Sequence, residues 1–486
     1  MRNLSIQFMI LATSVVLGVA AAMQGLTLIL PGIIFICLLV MIALTAPEPA
    51  APPIQILNRI FAVFLAMYVL WPSYISVRVA SGIPGLNPPR VLYILLLFFW
   101  ALSFCWSSRM SGALLSRLKR NPIPIVLLAA LVLWKFVSIF NSDNFVMAFI
   151  EYLTGLVGVY VVFLFAISTT YSIVQIDRLL YAIAIGAFVI SLLGIYEAQT
   201  KHLIFAHYVT ASSEFIKFAL SDKERGGTYR AQGTFIHPLL YAEFLLFSLP
   251  VIGYVFSQQK SYFRKFLLLC VVGVVVVALL LARSRAGVAA LVVVVLCALV
   301  FLSLKQLFLN KRSFTRFFLP LASLLFVVSL LVAVGPYIWD AIHGSRLEYK
   351  STLARLYFLK RGISLVSLEP VLGYGGAREA IAKLGVYNTV DNYYLSLALE
   401  AGIPALILFL LIYAYFVALG IRLFFIQQKE KAYLALALTL SLLGFAVFNM
   451  ILSVPFNHPF MFLAFALIFV LQDICLSSEI PTPKAN

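Results

Sequence analysis

Apolar runs of about 20 residues, parted by short polar breaks, recur along nearly the whole chain, and a bilayer core needs a helix of about that length. Each run therefore predicts a membrane-crossing helix. About fourteen spans are expected, near 4–23, 26–45, 56–77, 91–107, 123–140, 145–168, 176–197, 236–256, 266–282, 286–304, 316–337, 393–418, 432–452 and 457–475. The first follows a lone Arg2 and ends near Ala20-Ala21-Ala22, as secretory signals do; the unbroken series behind it favours a retained helix. Read as one helix, the run 266–304 would extend about 58 Å, roughly twice a bilayer core. It is expected to be two helices, with Arg283-Ser284-Arg285 at the turn and both guanidinium groups at a membrane surface.

Two polar intervals are too long for simple turns, 198–235 and 338–392, and loops of such length usually carry function or are disordered. The second contains helix-compatible sequence, EYKSTLARLYFLKRGISLV, and then a turn-rich GYGG; it is read as an ordered lid. The expected organisation is N-terminal spans (1–197), a first long loop (198–235), central spans including the Arg-Ser-Arg turn (236–337), the lid loop (338–392), and C-terminal spans with a short tail (393–486). The fold class is an all-α polytopic membrane protein with two long periplasmic loops.

Composition agrees, with 63% hydrophobic residues in 486, above the usage of soluble domains. The net charge of +17 would suit nucleic acid in a soluble protein. Here it follows topology: Arg109, Arg117, Lys119 and Arg120, then Lys260, Arg264 and Lys265, then Lys305, Lys311, Arg312 and Arg316, then Arg422, Lys429 and Lys431 occupy loops on one side. By the positive-inside rule these loops and both termini are cytoplasmic, and no nucleic-acid partner is expected. The five cysteines lie in apolar runs without CxxC pairing and read as small buried hydrophobes. No His or Cys spacing suits a zinc site.

Four stretches then resemble the superfamily of O-antigen ligases and O-antigen polymerases, bacterial envelope glycan enzymes. GTFIHPLLYAEFLLFSLP (233–250) is similar to a G-x-F-x-H-P-N span start, with Leu239 where Asn is common. RSRAG (283–287) resembles a Ser-Arg-x-Gly element at an outer turn. ARLYFLKRGISLVSLEPVLGYGG (354–376) resembles an Arg-bearing loop helix followed by P-x-x-G-x-G, and DNYYLSLALEAGIPALILFLLIY (391–413) the re-entry that follows. The likeness covers roughly 190–450.

The resemblance implies transfer of a glycan from an undecaprenyl-diphosphate carrier at the outer side of the bacterial inner membrane, with no cofactor and no metal, arginines replacing a cation. A diphosphate leaving group gains negative charge as the glycosidic bond breaks, and permanently charged, bidentate guanidinium groups suit it. Arg285 and Arg355 are the expected diphosphate contacts, with Arg283 and Arg346 as rivals. Where ligases carry a histidine proposed as base, this chain has Asp391-Asn392, and Asp391 is read as a base, as an orienting group or as a helix N-cap. That departure favours a repeat-unit polymerase over a ligase acting on lipid A core or protein. His237, Asn392 and Tyr393 are further substrate-binding candidates. Glycan donor and acceptor on the lipid carrier, the bilayer, a chain-length regulator and a flippase are the expected partners. A flippase or transporter is the distant alternative, since such proteins have similar span numbers but site their ligands near the midplane.

Overall fold

A computed structural model describes residues 52–77, 86–208, 224–225, 228–309, 346–385 and 390–479. The spans expected at 4–23, 26–45 and 316–337 lie outside those residues. Among the described residues the regular structure is helical apart from a short antiparallel ribbon, Glu224–Arg225 against Thr228–Tyr229, and an isolated bridge between Val77 and Leu86. Ten helices there are long and apolar enough to cross a membrane. The chain is an all-α multi-pass membrane protein.

Three helices, Pro238–Gln258, Lys429–Asn449 and Pro455–Ser477, are apolar on all sides and form the enclosed centre; the others turn one face to lipid. Lipid tails are as apolar as leucine, so helices gain contact by close approach at small residues. A Cβ on Gly194 would lie 2.1 Å from the Tyr241 hydroxyl, which donates to the Ile190 carbonyl at 3.1 Å.

Four expectations are sharpened or corrected. The run 266–304 is two helices, Tyr262–Leu281 and Arg285–Leu309. The span expected at 56–77 is a shorter helix, Ile54–Leu70, because Pro72 has no N–H to continue it. The chain then turns to dock on the first long loop, with Ser73 N donating to Thr234 O at 2.9 Å and the Tyr74 hydroxyl to Gly233 O at 3.2 Å. The span expected at 393–418 runs from Tyr393 to Ile426 and is broken at Ala401 and Gly402. The basic loop after Trp106 is an amphipathic helix, Ser108–Arg120. Its Arg117 is buried, bonds Asp473 at 2.8 Å and Thr170 O at 2.8 Å, and stacks over Tyr171. Of the cysteines, Cys105 and Cys475 are buried as expected, Cys270 faces outward, and Cys37 lies outside the described residues.

The loops sort onto two faces. One is tied by Arg117 and Arg120 to Asp473, by the Tyr254 hydroxyl to Asp177, and by Lys305 to the carbonyls of Phe424 and Gln427. The other, the lid face, carries the turn at 282–284, the loop 228–237, the lid helix Arg346–Leu368 and the short helix Ala377–Leu384.

Arg117→Met removes the buried partner of Asp473, leaving that carboxylate only the partly exposed Arg120, and is expected to destabilise by about 1–3 kcal/mol. Arg117→Met/Asp473→Leu should recover most of that loss. Thermal unfolding in detergent measures both.

Candidate functional site on the lid face

The site is built from three backbone devices. The first is the Arg-Ser-Arg turn. Helix Tyr262–Leu281 ends, Arg283 takes a left-handed backbone (φ 48°), and the Ser284 hydroxyl caps the next helix by accepting from Gly287 N at 2.9 Å. Arg283 is exposed; Arg285, half-buried, is the first residue of the helix. On a continuous helix the two would point about 200° apart, but the turn makes that geometry irrelevant to Arg283. Arg230 packs on the same turn, its Nε donating to Ala282 O at 3.3 Å while Ala231 N donates to Leu281 O at 3.1 Å.

The second device is the entry to the central span. His237 is its N-cap, with Nδ1 accepting from Leu239 N at 3.1 Å. Burial first, and the nearby Arg230 charge second, push the imidazole down to about 4. The ring is thus neutral, with Nε2 as its N–H donor. Just before it, buried Glu197 accepts from Gly233 N (2.7 Å), Gln232 N (3.3 Å) and the Tyr229 hydroxyl (2.7 Å), and so shapes the Gly-Thr-Phe stretch. Burial and that carboxylate raise the Tyr229 phenol.

The third device is the break in helix Tyr393–Ile426. Pro404 has no N–H for the Glu400 carbonyl, and Gly402 (φ 79°, ψ 173°) turns the chain where only glycine is at ease. The lid loop supplies the missing partners: Gly375 N donates to Glu400 O (2.9 Å), Tyr374 N to Leu399 O (2.8 Å), and Ile403 N donates back to Pro370 O (2.8 Å). The approach is close enough that a Cβ on Gly373 would lie 2.5 Å from Leu399 O. Asn141 Nδ2 bonds Gly373 O at 2.6 Å, and Trp134 Nε1 bonds Ala401 O at 3.0 Å. The P-x-x-G-x-G motif is therefore a plug in a broken membrane helix.

Upstream of that break, Asn392 is the N-cap, its Oδ1 accepting from Leu395 N at 3.0 Å. This corrects the N-cap reading of Asp391. Asp391 sits one residue earlier with a left-handed backbone (φ 51°), and its Oδ2 faces Arg355 Nε at 3.7 Å. Arg355 comes from the lid helix, so the pair joins two expected site residues from different elements. Arg346 opens that helix, and its side chain lies outside the described residues. Tyr393 is buried, stacked edge-on against His458 at 4.3 Å and packed on Phe409; it is a wall behind the pair. Asn392 is likewise committed to capping.

The sequence left Lys135 and the buried acids without partners. Lys135 Nζ meets Glu400 at 2.8 Å, with Tyr160 and Tyr393 near enough to interact with its charge. Tyr160 lies in a π turn, Leu156–Tyr160, inside the span Phe145–Thr169. Glu243 accepts from Asn457 at 2.8 Å, and Glu151 pairs with Arg378 at 3.1 Å. A lysine and a glutamate in separate apolar runs were the available signal; nothing local says they meet. Among the described residues no group of three His, Cys, Asp or Glu is placed to hold a metal ion. The arrangement offers cations, a carboxylate and a neutral imidazole donor on one face, a set able to hold an anionic group and orient a hydroxyl.

Gly402→Ala is expected to cost about 1–3 kcal/mol from backbone strain alone. Its Cβ would also meet Val371 O at 1.9 Å, so the plug should loosen. A lower unfolding midpoint and new protease cleavage within 370–376 are the readouts. His237 titrates lower folded, about 4, than its ordinary 6.5, so acid favours the unfolded chain. Stability is complete above about 6.5 and falls as pH drops towards 4. His237→Asn keeps a capping side chain and should flatten that part of the pH–stability curve.

Residues 244–410 match the family model described as O-antigen ligase. The matched stretch runs from within the central span, through the Arg-Ser-Arg turn and the lid, to just past the break; His237 falls before it. No curated protein matches the chain at a significant level. The matched stretch is about a third of the chain. By its residues 244–410, this chain is consistent with the O-antigen ligase and polymerase superfamily.

Proposed function

We propose that this protein polymerises undecaprenyl-diphosphate-linked oligosaccharide repeat units into a surface polysaccharide at the periplasmic side of the bacterial inner membrane. The observation that carries the reading is the Arg355–Asp391 pair, formed between the lid helix and the residue that precedes the broken helix. A guanidinium beside a carboxylate provides one group for the departing diphosphate and one for the attacking hydroxyl. Arg285 adds a second cation at the first residue of a helix whose N-terminus already favours anions. The acceptor hydroxyl attacks the anomeric carbon, its proton passes to Asp391 or to water, and the glycosidic bond to the diphosphate breaks with both electrons leaving on the phosphate oxygen. Charges fixed in advance at that oxygen stabilise it without reorganisation. Arg283, exposed at the turn, contacts the diphosphate from the solvent side. No metal enters these steps.

A ligase reading is favoured by the description of the matching family. A deletion strain separates the two. Loss of long chains with single repeats still transferred supports the polymerase; intact long chains stranded on the carrier support the ligase.

Purified protein given synthetic undecaprenyl-diphosphate repeats should produce ladders, insensitive to chelator. Arg285→Ala or Arg355→Ala is expected to lower the rate by about 10²–10³-fold, the scale for removing one group that stabilises developing charge. Unchanged ladders in both variants would overturn the assignment. Ser364→Cys, exposed on the lid helix, should react with a membrane-impermeant maleimide added outside spheroplasts. Protection there, with labelling only after lysis, would place the site on the wrong side.

A further inference from the structure

A groove opens on the half of the bundle away from the lid. It lies between helices Ile54–Leu70 and Ile173–Thr200 and encloses about 690 Å³. One wall is Arg59, Ala62, Val63 and Ala66, at the i, i+3, i+4, i+7 spacing of a single helix face. The other is Val174, Arg178, Tyr181 and Ile185, at i, i+4, i+7 and i+11 of one helix face. From 174 to 185 the helix rises about 16 Å at 1.5 Å per residue, close to half of a ~30 Å hydrocarbon core. The alanines make the trough; Val63, Tyr181 and Ile185 are exposed along it.

Both arginines lie at one end, the end where the chain meets the membrane surface. Arg178 is held there rather than left to swing. Its Nη1 donates to Asn58 Oδ1 at 2.8 Å, and the fully buried Asn58 donates in turn to Thr170 Oγ1 at 3.3 Å. Asp177, also in the lining, accepts from the Tyr254 hydroxyl at 2.7 Å, which turns that carboxylate towards the protein. Beyond Tyr181 and Ile185 the same helix borders a second apolar groove of about 330 Å³, again with an arginine, Arg264. Basic pockets between spans are recurrent sites for anionic headgroups.

We propose that the first groove is a specific site for one anionic glycerophospholipid of the leaflet opposite the lid, its phosphate between Arg59 and Arg178 and an acyl chain along the alanine trough. The site is independent of the glycan chemistry. It fixes the helix Ile173–Thr200, whose far end carries Glu197, against the first described helix.

Native mass spectrometry of the full-length protein, titrated with phosphatidylglycerol or phosphatidylcholine of matched chains, tests this. Phosphatidylglycerol should bind at one per chain with at least tenfold preference. Arg59→Gln/Arg178→Gln should erase the preference, and Ala66→Trp, which fills the trough with both arginines intact, should displace the lipid. Size-exclusion profiles establish that each variant is folded; should the double variant fail to fold, Ala66→Trp and Arg59→Gln alone decide. Equal retention of the two lipids, or retention of phosphatidylglycerol by Ala66→Trp, would overturn the proposal. So would a crosslink from Ala66→Cys to residues 1–51 at full yield, because the chain itself would then fill the groove.

Discussion

A carbonyl freed inside a membrane protein has no water to bond, and leaving it bare costs several kcal/mol. Helix Tyr393–Ile426 frees its carbonyls at Leu399 and Glu400 by means of Gly402 and Pro404, and the architecture of the lid face follows from meeting that demand. The loop 370–376 must enter far enough to present the N–H groups of Tyr374 and Gly375, so its glycines have to be there. Once it has entered, the lid helix on one side and helix Ala377–Leu384 on the other are committed in position. Arg355 meets Asp391 because both are anchored to the same break, one through the lid and one through the half-helix above it.

Ion pairs reinforce that arrangement from below and beside. Lys135 and Glu400 join the span Pro122–Asn141 to the broken helix at the residue whose carbonyl accepts from the plug. Ser142 and Asp143 N bond Glu379, and Lys383 bonds Asp143 at 3.0 Å, so the short helix after the plug is tied to the end of that same span. The opposite face uses a different device, an amphipathic helix whose Arg117 and Arg120 both reach Asp473, with Arg117 also holding the carbonyl end of another span. One face is thereby closed by side-chain pairing in the core, while the other keeps charged groups partly exposed.

Most spans were legible because a bilayer imposes one length and one polarity on every crossing. The two-helix reading of 266–304 follows from length alone, and the lid helix from the helix-compatible run around Arg355. Ser108–Arg120 was missed as a helix because its charges satisfied the positive-inside pattern, which does not distinguish a loop from a surface helix. The span beginning near residue 56 was carried too far because apolar content continued through Trp71, whereas Pro72 and the bond from Ser73 to Thr234 ended the helix. For the candidate site, the sequence offers Arg285, Arg355 and Asp391 as residue types suited to a diphosphate and a hydroxyl. The roles of Asn392 and His237 as caps, and of Tyr393 as a wall, depend on neighbours that no local pattern names.

By itself the sequence determined that this chain lives in a membrane, where most helices begin and end, and which residue types are available for anion chemistry, because those properties follow from local polarity and chain geometry. Only the tertiary structure decided which charges meet: Arg355 with Asp391 across 36 positions of chain, Lys135 with Glu400, Arg117 with Asp473. Pairing across such distances is set by how a broken helix recruits hydrogen-bond donors and how small residues let spans approach, and both are properties of the assembled bundle.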